Sequence, residues 1–416
     1  MQSSIGIIGA GIVGVTTALE LRDRGFDVLL IDRNAPGLET SYGNAGVITG
    51  ATVLNVNNPG IWRQMPRLLF NRSAYFRFDA PFMLANWRWM LAFLRYSRPR
   101  NVLPTARALC ALQGASLDRH KSLIARAGSG SLLVENGWLK VFRTETGFRA
   151  SARERALMSR LQVPFSMLSA DDLGKLEPAL KPVYRGGLLM RDSCSVRDPY
   201  ALTQAYLSLF AAQGGVVVRG DVGGIRQSAG TSWLVEFDGS GQQRVDHLVI
   251  AAGPWAPEVC GMLGYRIPMA WERGYHTHLE TPDPELTRPV FDVERGFVMS
   301  PQQSSVRITS GVEFTHRDAR PDYTLIRAAV RAARTAAEFG NELETTPWLG
   351  SRPTLPDSLP MIGEAPRHRR LWFNFGHQHI GLSASAGSAG LIGDQIEGKV
   401  HAHINGGPFA PGRFNI

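Results

Sequence analysis

The start of the chain constrains it most. Residues 5–8 (IGII) are an apolar run, glycines follow at Gly9, Gly11 and Gly14, and apolar residues then recur at helical spacing as far as Gly25. A second apolar run, 27–31 (DVLLI), ends at Asp32. Strand, G-x-G-x-x-G, helix and strand with a terminal acid make a βαβ unit suited to a pyrophosphate. The first glycine permits the tight turn, the second lets the backbone approach the ligand, and the third lets helix and strand pack closely. The pyrophosphate would sit at the helix N-terminus, where free N–H groups and the dipole favour negative charge. Asp32 would accept hydrogen bonds from ribose hydroxyls. Both strands are apolar throughout, which suggests a sheet buried on both faces. This motif fits NAD and FAD alike.

The rest of the chain is expected to alternate helices and strands. Helices are predicted over 105–127, 150–162, 324–339 and 383–396, and one opens at Asp198-Pro199, an N-cap followed by proline. Strands are predicted over 214–219, 245–250 and 371–375, with short strand-like pieces between 275 and 318. At 416 residues the chain has room for two or three domain-sized units, and 44% apolar with 19% charged residues is a globular composition. Apolar runs are too short to span a membrane. No Lys or Arg precedes the first of them, so it reads as a buried strand and not as a leader.

Net charge is +9, which fits an anionic partner of some kind. No RNA-binding motif is present and the arginines are spread over several segments, so no nucleic acid is expected. Cys110, Cys194 and Cys260 form no C-x-x-C and cannot all pair, against a disulfide framework or a zinc site and for a reducing, cytoplasmic setting. His276 and His278 share a face of a predicted strand, but no further metal ligands are visible, and no metal is expected.

Four further segments distinguish FAD from NAD: ETSYGNAGVIT at 39–49, VIAAGPW at 249–255, WLGSRPTLPDSLPMIG at 348–363 and GHQHIGL at 376–382. In this order and spacing the chain resembles the D-amino acid oxidase-like (DAO) superfamily of flavoproteins, and within it the bacterial D-amino acid dehydrogenases. The resemblance covers nearly the whole chain. It implies an α/β fold: an FAD-binding domain on a parallel sheet, interleaved with an α+β substrate domain on a mixed sheet. The expected division is 1–50, 195–260 and 345–416 for FAD, and 51–194 and 261–344 for substrate.

The cofactor residues carried over by that resemblance fall in six places along the chain. Gly9, Gly11, Ile12, Val13, Gly14, Asp32 and Arg33 belong to the fingerprint. Ser41, Gly43, Asn44, Ala45, Gly46 and Val47 would lie along the pyrophosphate and ring. Val222 would meet adenine through its backbone, and Ala252, Gly253 and Trp255 would approach the cofactor. Gly350 and Arg352 come from the segment at 348–363, and His379, Ile380, Gly381 and Leu382 would bring a helix N-terminus to the flavin. No cysteine falls in a segment matched to covalent attachment, so noncovalent FAD is expected.

Arg352 would clamp the carboxylate of an amino acid, with Tyr275 helping to hold it; a guanidinium suits bidentate carboxylate binding. His377 and His379 are candidate substrate contacts. The implied reaction is oxidative deamination of a D-amino acid by hydride transfer from the α-carbon to flavin. It gives an imino acid, then a 2-oxo acid and ammonia, and electrons pass to a quinone or other acceptor. Alternatives are a secondary amine substrate of hydroxyproline or sarcosine type, or an oxidase using oxygen. Homo-oligomers and partner subunits stay open. Ser358 stands where many relatives have Gly, which puts the local turn geometry in question.

Residues 60–100 are aromatic and basic: Arg63, Arg67, Arg72, Arg77, Arg88, Arg95, Arg98 and Arg100 face a single acid, Asp79. Met83, Trp87, Met90, Leu91 and Leu94 recur at helical spacing. Such a helix could lie on an anionic membrane, on the inner face of the cell membrane, or pack beneath the substrate domain.

Overall fold

The computed structural model describes residues 3–62, 75–228, 232–239 and 241–416. The expected βαβ unit is present as the strand Ser4–Ile8, the helix Ile12–Asp23 and the strand Asp27–Asp32. It forms the centre of a six-stranded sheet. Across that sheet the order is Val216–Arg219, Asp27–Asp32, Ser4–Ile8, His247–Ile250, Leu371–Phe375 and Met361–Glu364. All neighbours pair in parallel except the last two, which are antiparallel.

The inner strands are covered on both faces, which is why they are mostly apolar, while the edge strand Val216–Arg219 is largely exposed. On one face the fingerprint helix packs with Gly381–Ile396 and Pro199–Ala212, around Val15, Leu19, Leu202, Phe210 and Leu391. The side chain of Asp198 caps the Pro199 helix, accepting from the Ala201 amide at 2.9 Å. On the other face lies an antiparallel meander, Val222–Gln227, Trp233–Phe237 and Gln242–Val245, whose Ile225, Trp233 and Val235 close over Ile8, Ile31 and Ile250.

A ten-stranded mixed sheet forms the second layer system. Its longest strand, Ala270–Leu279, alternates sides. One side packs on the helix Thr324–Arg334, with Tyr275, Leu279, Ile308, Ile326 and Ala329 in one core. The other side faces the six-stranded sheet across the cavities described below.

Two stretches cross the expected division. The helix Pro99–Arg126 was assigned to the substrate half, but its Leu109, Leu112 and Leu123 belong to the core of the fingerprint helix. The strand Trp348–Thr354 was assigned to the FAD half. It pairs antiparallel along Ala270–His276, because its alternating side chains match that sheet's pleat, and so it belongs to the large sheet.

The aromatic segment folds as the helices Ala80–Ala85 and Trp87–Tyr96. Trp89 and Phe93 are buried against Phe314, while Leu84, Trp87 and Leu91 are exposed. Arg63, Arg67 and Arg72 lie outside the described residues. Among the described residues no helix is long and apolar enough to cross a membrane.

Candidate functional site

The fingerprint turn is shaped by its first and third glycines. Gly9 adopts φ +109°, and a side chain there would put its Cβ 2.5 Å from the Ala251 carbonyl oxygen. A Cβ on Gly14 would stand 1.8 Å from the Gly9 carbonyl oxygen, so only glycine lets the helix start this close to the strand. Asp32 fixes the same turn from the next strand: its Oδ2 accepts from the Ala10 amide at 2.7 Å and its Oδ1 from Asn34 at 2.9 Å. The Ser41 hydroxyl accepts from the Ile12 amide at 2.9 Å, which sets the 39–49 loop against the helix N-terminus.

These elements wall a cavity of about 300 Å³. Gly9, Gly11, Ile12, Val13 and Ser41 line its middle, and Asp32, Arg33, Val222 and Trp255 line one end. At the other end are His377, Gly381 and Leu382, with Ala252 and Gly253 between. Arg33 and Arg317 lie against the Trp255 ring, 4.6 and 5.1 Å from its centroid. The cavity is lined by a glycine turn, a helix N-terminus and a strand-end acid, the donor and acceptor set a dinucleotide needs. Those residues fit FAD.

A second cavity, of about 510 Å³, shares Thr40, Asn44 and Gln378 with the first. Gly43, Ala45, Val47, Ile380 and His379 line its near side. Gly350, Arg352, Trp138, Lys140, Phe291 and Thr309 rise from the large sheet on its far side. Gly14 and Gly46 line neither cavity; Gly46 instead accepts from the Val196 amide and donates to the Asn44 side chain at 2.8 Å.

Arg352 faces this cavity from the strand Trp348–Thr354, opposite Glu272 in register. Its guanidinium lies over Gly274, where a Cβ would be 2.4 Å from Nη2. Among the described residues no hydrogen bond or ion pair engages it. Burial lowers its pKa, and the nearby Glu272 charge opposes that.

Tyr275 sits one residue along from Gly274 and therefore points to the opposite face. Its hydroxyl donates to Glu313 at 2.7 Å and accepts from Arg273 Nη2 and the Asp322 amide, both at 2.9 Å. The hydroxyl is thus engaged on the face opposite Arg352, while Tyr275 is itself among the residues that line the cavity.

The histidines divide into three cases. His276 stacks on Trp348 at 4.8 Å and is pushed down to about 2, first by burial and then by Arg307. His278 pairs with Glu344 and accepts from Arg307 Nε at 3.0 Å. Both are structural. His377 bonds Ser388 Oγ at 3.2 Å and is pushed down to about 3 by burial. His379 opens on the cavity; its surroundings, then the charges of Arg352 and Lys140, push it down to about 4, so it is neutral at pH 7.

Lys140, paired with Glu154, and the aromatic wall of Trp138 and Phe291 were not anticipated. They lie on strands far apart in sequence, and only the sheet register unites them. Ser358 does occupy a glycine conformation, φ +61°, in the turn closed by its amide and the Leu355 carbonyl.

The sequence matches the family described as FAD dependent oxidoreductase (DAO) over residues 4–395. It is 30% identical to a D-amino-acid oxidase of Bradyrhizobium diazoefficiens, covering 99% of this chain and 98% of that one. It is also 30% identical to a D-amino acid dehydrogenase of Cereibacter sphaeroides, covering 94% and 91%. The fold resembles glycine oxidase from Geobacillus kaustophilus with a TM-score of 0.74 at 21% identity, over 98% of both chains.

Proposed function

The chain belongs to the FAD-dependent oxidoreductase family, and from that premise we propose that it oxidises D-amino acids at the α-carbon. The carrying observation is Arg352: a cation facing an enclosed cavity with its donors unengaged. A carboxylate is the ligand that satisfies such a fork best. The two relatives' names point to the D series.

Bound in the first cavity, FAD would supply an acceptor for the hydride that leaves the α-carbon. Arg352 holds the carboxylate and so fixes where the α-carbon stands, the kind of orientation that contributes several orders of magnitude to rate. The His379 ring, neutral at pH 7, accepts a hydrogen bond from the amine through its unprotonated nitrogen. The helix Gly381–Ile396 directs its N-terminus at the junction of the cavities, where it favours developing negative charge. Trp138, Phe291 and Val298 give the side-chain space an apolar wall, suited to large apolar or aromatic side chains. The imino acid then hydrolyses to a 2-oxo acid and ammonia. Cys110, Cys194 and Cys260 are free and line neither cavity, which supports noncovalent FAD.

One relative is named an oxidase and another a dehydrogenase, so the acceptor is the finer question. We favour a quinone. The support is the face of the helices at 80–96, where exposed Leu84, Trp87 and Leu91 stand beside exposed Arg88 and Arg95. That pattern suits an anionic membrane surface, with electrons leaving to a lipid-soluble acceptor.

Anaerobic titration with D- and L-amino acids, following flavin absorbance, tests the reaction. Bleaching by D-amino acids alone is the expected result, and admitting air should then restore the colour slowly. A flavin bleached by none of them would overturn the substrate class.

A further inference from the structure

Glu272 is the cross-strand neighbour of Arg352 on one side and of Phe314 on the other. Direct register partners project to the same face, so the carboxylate lies on the side of Arg352 and of the aromatic cluster. Phe314 packs on Trp89 at 5.5 Å, and Ala270, two residues before Glu272, joins the same cluster. Glu272 is wholly buried, and among the described residues its carboxylate oxygens have no well-formed hydrogen bond. Burial raises its pKa, and the Arg352 charge and then the nearby Thr354 hydroxyl oppose that rise.

A carboxylate in aromatic surroundings with no well-formed hydrogen bond is costly, and only a nearby opposite charge makes it tolerable. That charge is Arg352, which is near enough to influence Glu272 but forms no direct ion pair with it. Further along this face the buried Arg307 cation is set against Glu344, which also pairs with His278. Lys140 is paired with Glu154, and His377 and His379 are uncharged at pH 7. Before a ligand enters, Arg352 and Glu272 thus balance.

A simple carboxylate would upset that balance by one negative charge, in an interior where charges are weakly screened. An amino acid brings an ammonium with its carboxylate and leaves the sum unchanged. We propose that Glu272 is the counter-charge that matches the Arg352 clamp to ligands carrying both a carboxylate and an amine, and so rejects simple carboxylates. Glu272 lines neither cavity and acts as a positioning residue, through its field on the Arg352 site. This inference rests on the reading of Arg352 as a carboxylate clamp.

The test compares 3-phenylpropanoate with D-phenylalanine on the FAD-loaded enzyme. Binding of the first is read from the perturbed flavin spectrum, and half-saturation of the second from anaerobic bleaching or the same perturbation. In E272Q, 3-phenylpropanoate should bind at least tenfold tighter while D-phenylalanine moves less than threefold. A ratio of the two that stays at the wild-type value would overturn the proposal. A loss of packing alone would weaken both ligands together and leave the ratio unmoved. If E272Q does not retain flavin, E272L removes the charge in a form suited to the aromatic cluster and carries the same expectation. Wild-type binding of 3-phenylpropanoate in R352A would instead show that Arg352 is no clamp, and the inference would fall with that reading.

Discussion

Gly274 offers a way to move the proposed carboxylate clamp without altering its charge. A Cβ built there stands 2.4 Å from Arg352 Nη2, 2.6 Å from Cζ and 2.9 Å from Nη1. Non-bonded heavy atoms settle near ~3.5 Å, so Gly274→Ala must displace the guanidinium by about 1 Å. The displaced group is the end of a flexible side chain, so the fold should absorb the change. Alanine in a strand interior should even add roughly 0.5–1 kcal/mol over glycine. For the reaction, a misplacement of about 1 Å can cost ~100-fold, or about 2.7 kcal/mol in the barrier. We therefore expect Gly274→Ala to keep its flavin content and Tm while kcat/KM for the best D-amino acid falls about 100-fold. Stopped-flow anaerobic reduction at varied substrate separates weaker binding from slower chemistry. A variant whose kcat/KM stays within about threefold of wild type would refute the placement of the substrate carboxylate on this guanidinium.

Further perturbations probe other parts of the molecule. Arg352→Ala should retain FAD and lose two charge-assisted hydrogen bonds, roughly 3–6 kcal/mol of transition-state binding, read as kcat/KM. Buried His120, His276 and His377 are pushed down to about 4, 2 and 3, chiefly by burial. Their unfolded values lie near 6.5, so below that pH the unfolded chain binds more protons and stability falls as pH drops, on the order of 1–2 kcal/mol per histidine at pH 5. Tm should accordingly decline from pH 7 to pH 5; a flat profile would contradict the burial of these rings. Ser358→Gly should stabilise the protein by about 1 kcal/mol in urea unfolding, since serine there holds φ +61°. Sedimentation with phosphatidylglycerol vesicles should capture the wild type at low salt, and Trp87→Ser with Leu91→Ser should release it; absence of wild-type binding removes the membrane reading.

The dinucleotide site was legible because its parts are local. Gly9, Gly11, Gly14 and Asp32 lie within one βαβ unit, where a positive φ at Gly9, the close approach at Gly14 and the hydrogen bonds of Asp32 are all local demands. On the far wall of the second cavity Gly350 and Arg352 were legible, through one contiguous segment. The Tyr275 hydroxyl lies on the face opposite Arg352 because a one-residue step along a strand reverses the face, and the sequence did not reveal which face met the cavity. Glu272, Lys140 and Phe291 carried no local signal: an isolated charged or aromatic residue on a strand becomes meaningful only once register gives it neighbours. Pro99–Arg126 and Trp348–Thr354 cross the expected division into halves for a related reason, since each packs with elements distant in sequence.

The strand that carries Arg352 ends at Thr354, and the next strand, Met361–Glu364, already belongs to the six-stranded sheet. A single short turn through Ser358 thus ties the proposed clamp to the sheet that carries the glycine turn. Trp138 and Phe291, by contrast, stand on strands across the large sheet, several positions removed from that tie. The distance between reacting centres and the choice of side chain are therefore inherited separately. Substitutions in the distal wall can retune which amino acid is accepted while the reactive alignment stays as it was. A lineage of enzymes, or a laboratory library confined to those distal strands, can explore new substrates without having to rediscover the chemistry.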